Sequence, residues 1–488
     1  MHFTRRVFGG AGLMTLANIA GLSACSRPSH LSIEGLSAEL QGSVVLPGAA
    51  GYDDERRTFS FNPRTASNPV AIAKCASVED VTRTIAFARE ATLELAVRGG
   101  GHDVLGASTG PGLLLDVSQL DSIELDEETQ LVKVGGGVRA GALNAALSSH
   151  NLAAPLGCSP MVGVSGLTLG GGIGWLAGAR GAACDSLVSA TLVTADGQVL
   201  RVSADEHPEL LWALRGGGGN FGVVTDLTFR AQPIGEVVSG WIAFPGAELQ
   251  RFLHFYRDYM AAAPPELVAE VFVMAPVEPI IFVQVCYSGD IANAERVLAL
   301  LRGFGRPLAD GFSREPYTGS VNPSDEVGGL LSAPPPATPE PNDAPGIHWL
   351  GASLAPVGDE AIDVIVERLA QAHGGWAFTM GHYMHGALTE VGAETSALPR
   401  TRGLACVHFD AWWGGAAQAE ERMAWVDQSI AALGPYAAPT YVNYLSNPSD
   451  QAVREAYAGN YTRLSEIKRA YDPNNIFHRN RNITPASS

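Results

Sequence analysis

Runs of consecutive glycines restrict the fold of this chain more than any other feature. Glycine accounts for 56 of the 488 residues, and it forms clusters at residues 99–101, 135–137, 170–172 and 216–219. Because glycine has no Cβ, such runs let backbone N–H groups approach an anion closely and form concave nests of donors. Several loops of this kind in one chain are typical of a site for a pyrophosphate.

Around the first loops the hydrophobic pattern alternates between strands and helices. VAIAKC predicts a strand, residues 78–90 (VEDVTRTIAFARE) predict a helix, and ELAVRGGG predicts a strand that ends directly in a glycine loop. Residues 138–147 predict another helix, and residues 187–203 predict a hairpin about an Ala-Asp-Gly turn.

Beyond about residue 233 the segments become longer, which indicates a further folding unit in a chain too long for one ordinary core. IIFVQVCYS and LACVHFDAWW predict buried strands, and residues 292–302 predict a helix. The proline-rich residues 332–346 predict a surface loop or lid, because proline fits neither helix interiors nor sheet ladders.

One glycine motif formally matches a common dinucleotide-binding fold. Gly217, Gly219 and Gly222 satisfy GxGxxG, but in a Rossmann fold a helix follows that motif. Here VVTDLTF follows, and its β-branched, alternating residues predict a strand. The loops therefore favour an extended dinucleotide that lies across several stretches of backbone.

Five sequence elements together resemble a known family. VRGGGHD, VGVSGLTLGGGIGW and LWALRGGGGNFGVVT closely resemble the FAD domain of the p-cresol methylhydroxylase and vanillyl-alcohol oxidase superfamily. In the tail, YVNY and DPNNIF resemble the YxNY and DPxNxF elements of its berberine-bridge-enzyme-like branch. The resemblance covers about residues 65–234 and 438–482.

This resemblance implies an α+β fold, in which a two-part FAD-binding domain of the p-cresol methylhydroxylase type carries an inserted antiparallel-sheet substrate domain with helices. The expected parts are an export signal (1–25), an N-terminal segment (26–64), the FAD-binding domain (65–234), the substrate domain (235–437) and a C-terminal segment that completes the FAD domain (438–488).

The resemblance also implies FAD as the cofactor. His102 stands where the branch bonds the flavin covalently at its 8α carbon. Cys158 is the candidate for a second bond, to C6 of the flavin, but the following glycines align the family's Cys-Pro pair with Ser159 and Pro160, so a free buried thiol is the alternative. The expected cofactor-binding residues are Arg98, Gly99, Gly100, Gly101, His102, Gly106, Cys158, Val162, Gly163, Gly166, Thr168, Gly170, Gly171, Gly172, Gly219, Asn220, Gly222, Val223, Val224 and Asn443.

Flavin oxidation of an alcohol requires a base for the hydroxyl proton, while the cofactor takes the hydride at N5. In the family this base is a tyrosine of YxNY, which implies Tyr444, with Tyr441 as the second candidate. On a strand these two would lie on opposite faces. Since tyrosine has an ordinary pKa near 10, a basic Tyr444 needs a neighbouring positive charge or donor.

Substrate contacts are expected from the middle of the chain, where His382, His385 and His408 accompany aromatic residues. These histidines are equally compatible with packing roles. We expect no metal site, because no acidic or cysteine partner stands near them at ligand spacing and no CxxC motif occurs.

The expected enzyme is an FAD-linked oxidase that oxidises an alcohol, sugar or natural product and passes electrons to oxygen, giving hydrogen peroxide. One alternative is a flavin dehydrogenase with another acceptor. A different class of alternative is an envelope lipoprotein that binds flavin or ligand without turnover.

Charge and the N-terminus indicate where the chain acts. A net charge of −18 disfavours nucleic acid as a partner, because phosphate binding needs clustered Lys and Arg. Arg5 and Arg6 precede twenty uncharged residues (7–26), which predicts a twin-arginine export signal and a periplasmic or extracellular protein. Leu-Ser-Ala-Cys25 also matches a lipoprotein cleavage site, so a lipid anchor at Cys25 is the expected membrane contact, and a plain signal cleavage site is its alternative.

Overall fold

The computed structural model describes residues 32–274, 279–319, 346–372 and 375–487. The predicted export signal and Cys25 lie outside the described residues, as does the proline-rich segment up to residue 345. None of the described helices combines the length and the apolar character needed to cross a bilayer.

The first part of the described chain forms a four-stranded sheet in the order β1-β2-β4-β3, with β2, β4 and β3 parallel and β1 antiparallel. The prediction of a strand, a helix over residues 78–90 and a strand ending in glycines is confirmed. A serine cap begins that helix, since the Ser77 hydroxyl accepts a hydrogen bond from the Asp80 N–H. The elements are α1 (Ile33–Glu39), β1 (Ser43–Val45), α2 (Tyr52–Glu55), β2 (Ala71–Lys74), α3 (Val78–Glu90), β3 (Leu95–Arg98) and β4 (Leu113–Asp116).

A five-stranded antiparallel sheet follows among the described residues, in the order β5-β6-β10-β8-β9. The predicted hairpin is β8 and β9, and the strand predicted after the GxGxxG-like loop is β10, which confirms that this loop is not a Rossmann motif. The elements are β5 (Ile123–Asp126), β6 (Leu131–Gly135), α4 (Ala140–Ser148), β7 (Leu152–Ala153), α5 (Val164–Leu169), α6 (Ala177–Arg180), β8 (Leu187–Val193), β9 (Val199–Val202), α7 (Pro208–Leu214), β10 (Val223–Arg230) and β11 (Gln232–Pro233), which pairs with β7.

The middle of the chain forms a larger antiparallel sheet, with nine strands within the described ranges, and helices pack on it. Its order is β15-β12-β14-β13-β18-β19-β17-β20, with β16 also paired to β12. The α+β prediction is therefore confirmed. The elements are β12 (Glu236–Pro245), α8 (Leu249–Ala261), β13 (Leu267–Met274), β14 (Ile280–Tyr287), α9 (Ala294–Arg302), β15 (Ala309–Asp310), β16 (Ser313–Pro316), β17 (Gly346–Leu354), α10 (Asp359–Ala370), β18 (Trp376–Gly381), β19 (Ala405–Trp413), α11 (Ala419–Leu433) and β20 (Ala437–Ala438).

The C-terminal segment returns to the first half of the chain. Its two helices, α12 (Asp450–Tyr457) and α13 (Tyr461–Tyr471), contribute Val453, Leu464 and Ile467 to the core that the five-stranded sheet shares. This packing joins residues from both ends of the chain around one core, as expected of a domain built from two parts.

A fully buried ion pair fixes this C-terminal return. Lys468 of α13 donates from Nζ to the Asp472 carboxylate at 2.7 Å, to the Asn220 carbonyl at 2.8 Å and to the Phe477 carbonyl at 3.0 Å. Asp472 in turn accepts from the N–H groups of Ile476 and Phe477. The DPNNIF element thus anchors the last glycine loop, because Asn220 belongs to that loop.

We predict that Lys468→Met destabilises the protein by about 3–5 kcal/mol, because it leaves a buried carboxylate and two carbonyls without their cation. The matched control is Lys133→Met, which removes a half-exposed ammonium 3.7 Å from Asp226 and costs about 0–1 kcal/mol. Denaturant unfolding of the two purified variants measures the difference. Equal unfolding midpoints would show that the buried pair does not hold the tail.

Candidate active site

The first glycine loop, between β3 and His102, presents an unusual run of free backbone donors. Within the described part of the chain, none of the N–H groups of residues 99–104 forms a hydrogen bond. Residues 99–103 are half-buried and Val104 is buried. Because N–H groups withdrawn from water are normally paired, a run of free ones fits a ligand that accepts them. A phosphate fits this requirement.

A second loop lies directly against the first, backbone to backbone. A Cβ on Gly100 would overlap with the N and Cα of Gly163, and a Cβ on Gly99 would press on the Ser165 hydroxyl. Gly163 begins α5 without a side-chain cap; the Val164 N–H bonds to the Val138 carbonyl, and the N–H groups of Ser165 and Gly166 remain available. The sequence patterns did not indicate this helix.

Two further features of the glycine loops fit a bound dinucleotide. The positions where Gly166 and Gly219 would carry a Cβ have no atom within 4 Å. The Thr168 side chain is fully buried, and its hydroxyl has no hydrogen-bond partner among the described residues. Open space beside two glycines and an unpartnered buried hydroxyl are both expected of a cofactor cradle. The residues present therefore fit FAD.

Other residues expected to bind the cofactor instead contact neighbouring protein groups and so fix the shape of the loops. The Arg98 guanidinium faces Asp116 at 3.7 Å and donates to the Ser108 carbonyl at 3.3 Å. Gly106 packs on Thr65 with φ +73°, and Val162 accepts the Ala140 N–H through its carbonyl. These groups shape the loop that ends in His102.

The last glycine loop is tied to the C-terminal tail through Asn220. Its amide donates to the Gly217 carbonyl at 2.9 Å and accepts the Ile483 N–H at 3.0 Å, so the side chain is occupied by protein partners. Gly222 packs against β8, and Val223 and Val224 are buried at the start of β10. The side chains of these residues support the loop, and only its backbone remains for a ligand.

His102 lies within the free N–H run and is held by stacking. Its ring lies 4.0 Å from the ring of Phe59, at 14° to it. Burial lowers the pKa of His102 to about 4, because the charged imidazolium is poorly solvated there. The imidazole is therefore neutral at physiological pH.

The YVNY element is not a strand, so the expectation that Tyr441 and Tyr444 lie on opposite faces is wrong. Residues Val442–Tyr444 form a 3-10 turn, in which positions three apart share a side. The two rings stack, with centroids 5.9 Å apart. The Tyr441 hydroxyl accepts the Gly172 N–H at 2.8 Å and the Asn443 amide at 2.9 Å, which joins this turn to the third of the expected glycine loops, residues 170–172.

Tyr444 lacks the surroundings that a basic phenolate requires. Burial raises its pKa well above the ordinary value, and the negative charge of Glu270 raises it further. The Tyr444 hydroxyl lies 3.3 Å from Nδ1 of His382. Tyr444 is accordingly protonated at neutral pH. Its charged neighbour is a carboxylate, whereas a basic tyrosine would need a positive charge there.

Glu270 forms the centre of the polar cluster beside Tyr444, and sequence reasoning missed it. It lies on β13 with 3% of its surface exposed. Nδ1 of His382 is 2.8 Å from the Glu270 carboxylate, and the Cys158 thiol donates to the same oxygen at 3.2 Å. The available signal was a single charge in the apolar run LVAEVFVM, which is unusual for a buried strand.

The pKa values in this cluster follow from its contacts. Burial alone would raise the pKa of Glu270, but the interactions with His382 and with the Cys158 thiol outweigh it and hold that pKa below its usual value. Burial and the Glu270 charge raise the pKa of Cys158 well above its usual value. Glu270 is thus a carboxylate beside a protonated thiol.

The three histidines expected at the substrate site lie in different places. His382 follows β18 and joins the Glu270 cluster. His408 of β19 lies 4.5 Å from the Trp349 ring, which in turn lies 5.1 Å from Tyr444, so these rings form one aromatic wall. His385 is buried against Gly178 of α6, where it packs rather than faces this wall.

The sequence argument against a metal site near the histidines is wrong. No acidic or cysteine partner was expected near the histidines, yet the fold brings Cys158 and Glu270 to His382, with ligand atoms all within 4.8 Å of one another. The partners are distant along the chain, so spacing could not reveal them.

Comparison with known proteins agrees with this geometry. Residues 69–203 match the family model described as FAD binding domain, and residues 440–484 match the model described as berberine and berberine like. Both matches contain the elements that build the cradle: the loops up to β9, and the tail with Tyr441, Asn443 and Tyr444.

Two comparisons extend along nearly the whole chain. (R)-6-hydroxynicotine oxidase of Paenarthrobacter nicotinovorans is 31% identical over 468 residues, which cover 92% of this chain and 98% of that protein. The crystal structure of 6-hydroxy-D-nicotine oxidase from Arthrobacter nicotinovorans superposes with a TM-score of 0.81 at 30% identity, covering 92% of this chain and 98% of that one.

A more distant structure shares the fold. Glucooligosaccharide oxidase from Acremonium strictum, with a 6-S-cysteinyl, 8α-N1-histidyl FAD, superposes with a TM-score of 0.77 at 22% identity, covering 94% of this chain and all of that one (100%). Taken with the whole-length relative and the two family models, the chain belongs to the FAD-linked oxidoreductases of the p-cresol methylhydroxylase and vanillyl-alcohol oxidase superfamily, in the berberine-bridge-enzyme-like branch.

Proposed function

We propose that this FAD-linked oxidoreductase carries its flavin covalently on His102, oxidises an alcohol, sugar or natural product that contains a ring, and passes the electrons to oxygen to give hydrogen peroxide. The observation that carries this proposal is the position of a neutral, stacked His102 within a run of six consecutive residues (99–104) whose N–H groups are free within the described chain. Bound there, FAD supplies the hydride acceptor of the reaction.

The surroundings of His102 suit attachment to a flavin. Attachment would replace one C–H bond of the flavin 8-methyl group by a carbon–nitrogen bond, and the two electrons released would pass through the flavin to oxygen. It requires a neutral imidazole with a free lone pair, and burial keeps His102 neutral. Phe59 holds the ring in one plane. The histidyl link named for glucooligosaccharide oxidase supports the same attachment here.

Cys158 remains a free thiol in this proposal. Its Sγ donates to Glu270 at 3.2 Å and packs beside the Trp175 cluster, so its hydrogen bond directs it toward the carboxylate. The sequence register also places it one residue before the position of the family's cysteine. The flavin is accordingly attached through His102 alone, in contrast to the doubly linked flavin named for glucooligosaccharide oxidase.

Glu270 and His382 are the proposed proton acceptor for the substrate. A carboxylate at 2.8 Å from Nδ1 holds the imidazole in the tautomer with a proton on Nδ1 and stabilises the imidazolium that forms. The Nε2 lone pair is then available to accept the proton of a substrate hydroxyl. Tyr444, protonated beside this pair, donates a hydrogen bond that positions the substrate oxygen.

The walls of the site favour a ring-bearing substrate. Trp349, His408 and Tyr444 present aromatic faces next to the proton acceptor, and such faces stack on sugars and on flat heterocycles. The related enzymes are named for 6-hydroxynicotine and for glucooligosaccharides, which are ring compounds of these two kinds.

We propose export to the periplasm or cell exterior on the basis of Arg5, Arg6 and the uncharged residues that follow, with Cys25 as the site of a lipid anchor.

We predict that purified protein, screened with sugars, oligosaccharides, benzylic alcohols and hydroxylated N-heterocycles, releases one hydrogen peroxide for each molecule of substrate oxidised. The carboxylate–imidazole pair removes the proton, and oxygen reoxidises the flavin. A peroxide-coupled assay gives the ratio. Dye reduction without peroxide would instead identify a dehydrogenase.

With a substrate from that screen, His382→Gln should slow anaerobic flavin reduction by roughly 10²–10⁴-fold, the usual contribution of general base catalysis. The control is His254→Gln, which removes a histidine on α8 that is paired with Asp359 and does not belong to the cluster. Stopped-flow bleaching of the flavin measures both rates. An unchanged rate in His382→Gln would place the base elsewhere.

Gly100→Ala should lower the amount of FAD held by the purified protein. The new Cβ collides with the Gly163 backbone, and such overpacking costs about 1–3 kcal/mol, or roughly 5- to 150-fold in affinity. Gly434→Ala is the control, because its Cβ would meet no atom within 4 Å. The absorbance ratio of flavin to protein reports the occupancy, and equal ratios would mean that the two loops do not form the cradle.

A further inference from the structure

We propose that Cys158, Glu270 and His382 form a binding site for one zinc ion. Among the described residues, they form the group of three metal-ligating side chains whose ligand atoms come within 4.8 Å of one another. Neither the glycine loops nor the proposed flavin chemistry requires a metal, so the zinc ion would be an additional ligand of the protein.

The three ligands converge from separate elements that are already fixed. Glu270 lies within β13, and His382 directly follows β18, the strand paired with β13. Cys158 comes from the segment before α5, on the side of the glycine loops, and reaches the Glu270 carboxylate at 3.2 Å. The ligands are therefore assembled by the fold before any ion arrives, which lowers the cost of binding one.

The backbone conformation at residues 381–382 brings two of the ligands together. His382 has φ +49°, a left-handed conformation that a non-glycine residue adopts only at a cost and that often marks a functional position. The preceding residue is Gly381, where a Cβ would press on the Glu270 side chain. A strained histidine next to a glycine thus brings the imidazole onto the carboxylate.

The donor set favours zinc over other common ions. Sulfur and imidazole ligands select zinc and similar metals, whereas magnesium and calcium prefer oxygen alone. One thiolate and one carboxylate neutralise the two charges of Zn²⁺, so the occupied site carries no net charge in a buried place. Binding releases the proton of the Cys158 thiol to solvent and moves the His382 proton from Nδ1 to Nε2, so that Nδ1 can bind the ion, without any change of oxidation state.

Three protein ligands leave one position open, as in catalytic rather than structural zinc sites. The Tyr444 hydroxyl lies 3.3 Å from Nδ1 of His382 and is therefore close to a group that would bind the ion. Zinc would replace the hydrogen bonds that Glu270 now accepts from His382 and Cys158. An occupied site would thus remove the imidazole from proton transfer, so that zinc inhibits turnover while it binds.

The test uses tag-free, FAD-loaded protein equilibrated with zinc sulfate and passed through a desalting column, followed by elemental analysis of the protein fraction. Wild type is expected to retain one zinc for each chain, and Cys158→Ser and Glu270→Gln are expected to lose it. Cys406→Ser is the matched control, a buried thiol 3.8 Å from the Ser353 hydroxyl and outside the cluster, and it should retain the ion. Circular dichroism and flavin absorbance establish that each variant is folded.

A second measurement reports the sulfur directly. Cadmium added to wild type should produce the ultraviolet charge-transfer band of a metal thiolate, and the band should be absent in Cys158→Ser and present in Cys406→Ser. A wild type that retains no zinc and shows no cadmium band, or equal metal content in the two cysteine variants, would overturn the zinc site. Both readouts are made without substrate, so they are independent of the proposed oxidase activity.

Discussion

The close approach of two backbones, Gly100 against Gly163, is the constraint on which the cofactor site depends. Neither position tolerates a Cβ, so the loop that carries His102 and the loop that begins α5 meet without intervening side chains. The N–H groups of residues 99–104 are unpaired in the described chain and so remain available to a ligand. The buried Lys468–Asp472 pair then brings the C-terminal tail onto the last glycine loop and closes the same site.

A second constraint is a buried negative charge at the centre of the large sheet. Glu270 is stable as a carboxylate only because His382 and Cys158 satisfy the same oxygen, and its charge keeps Tyr444 protonated. The cluster therefore assigns proton transfer to a residue other than the tyrosine expected from the sequence. The tyrosine that the YxNY element offers as a base is a hydrogen-bond donor in this account, and a histidine outside that element takes the proton.

The sequence predicted the local elements well where short-range patterns determine them. The helix at residues 78–90, the hairpin that follows Leu187 and the strand that follows Gly222 all arise from periodicity and turn residues within a few positions. Prediction failed where distant residues decide the outcome. Cys158 and Glu270 are 112 residues apart. The YVNY turn is held by the Gly172 N–H, 269 residues from Tyr441, which no local pattern records.

The link between His102 and the flavin is tested most directly by peptide mass spectrometry. Trypsin cleaves after Arg98 and Lys133 and after Arg139 and Arg180, so His102 and Cys158 fall on different peptides. The account predicts that the peptide of residues 99–133 carries the added mass of one FAD, with fragmentation placing it on His102, and that the peptide of residues 140–180 is unmodified. An unmodified 99–133 peptide from yellow, active protein would contradict it.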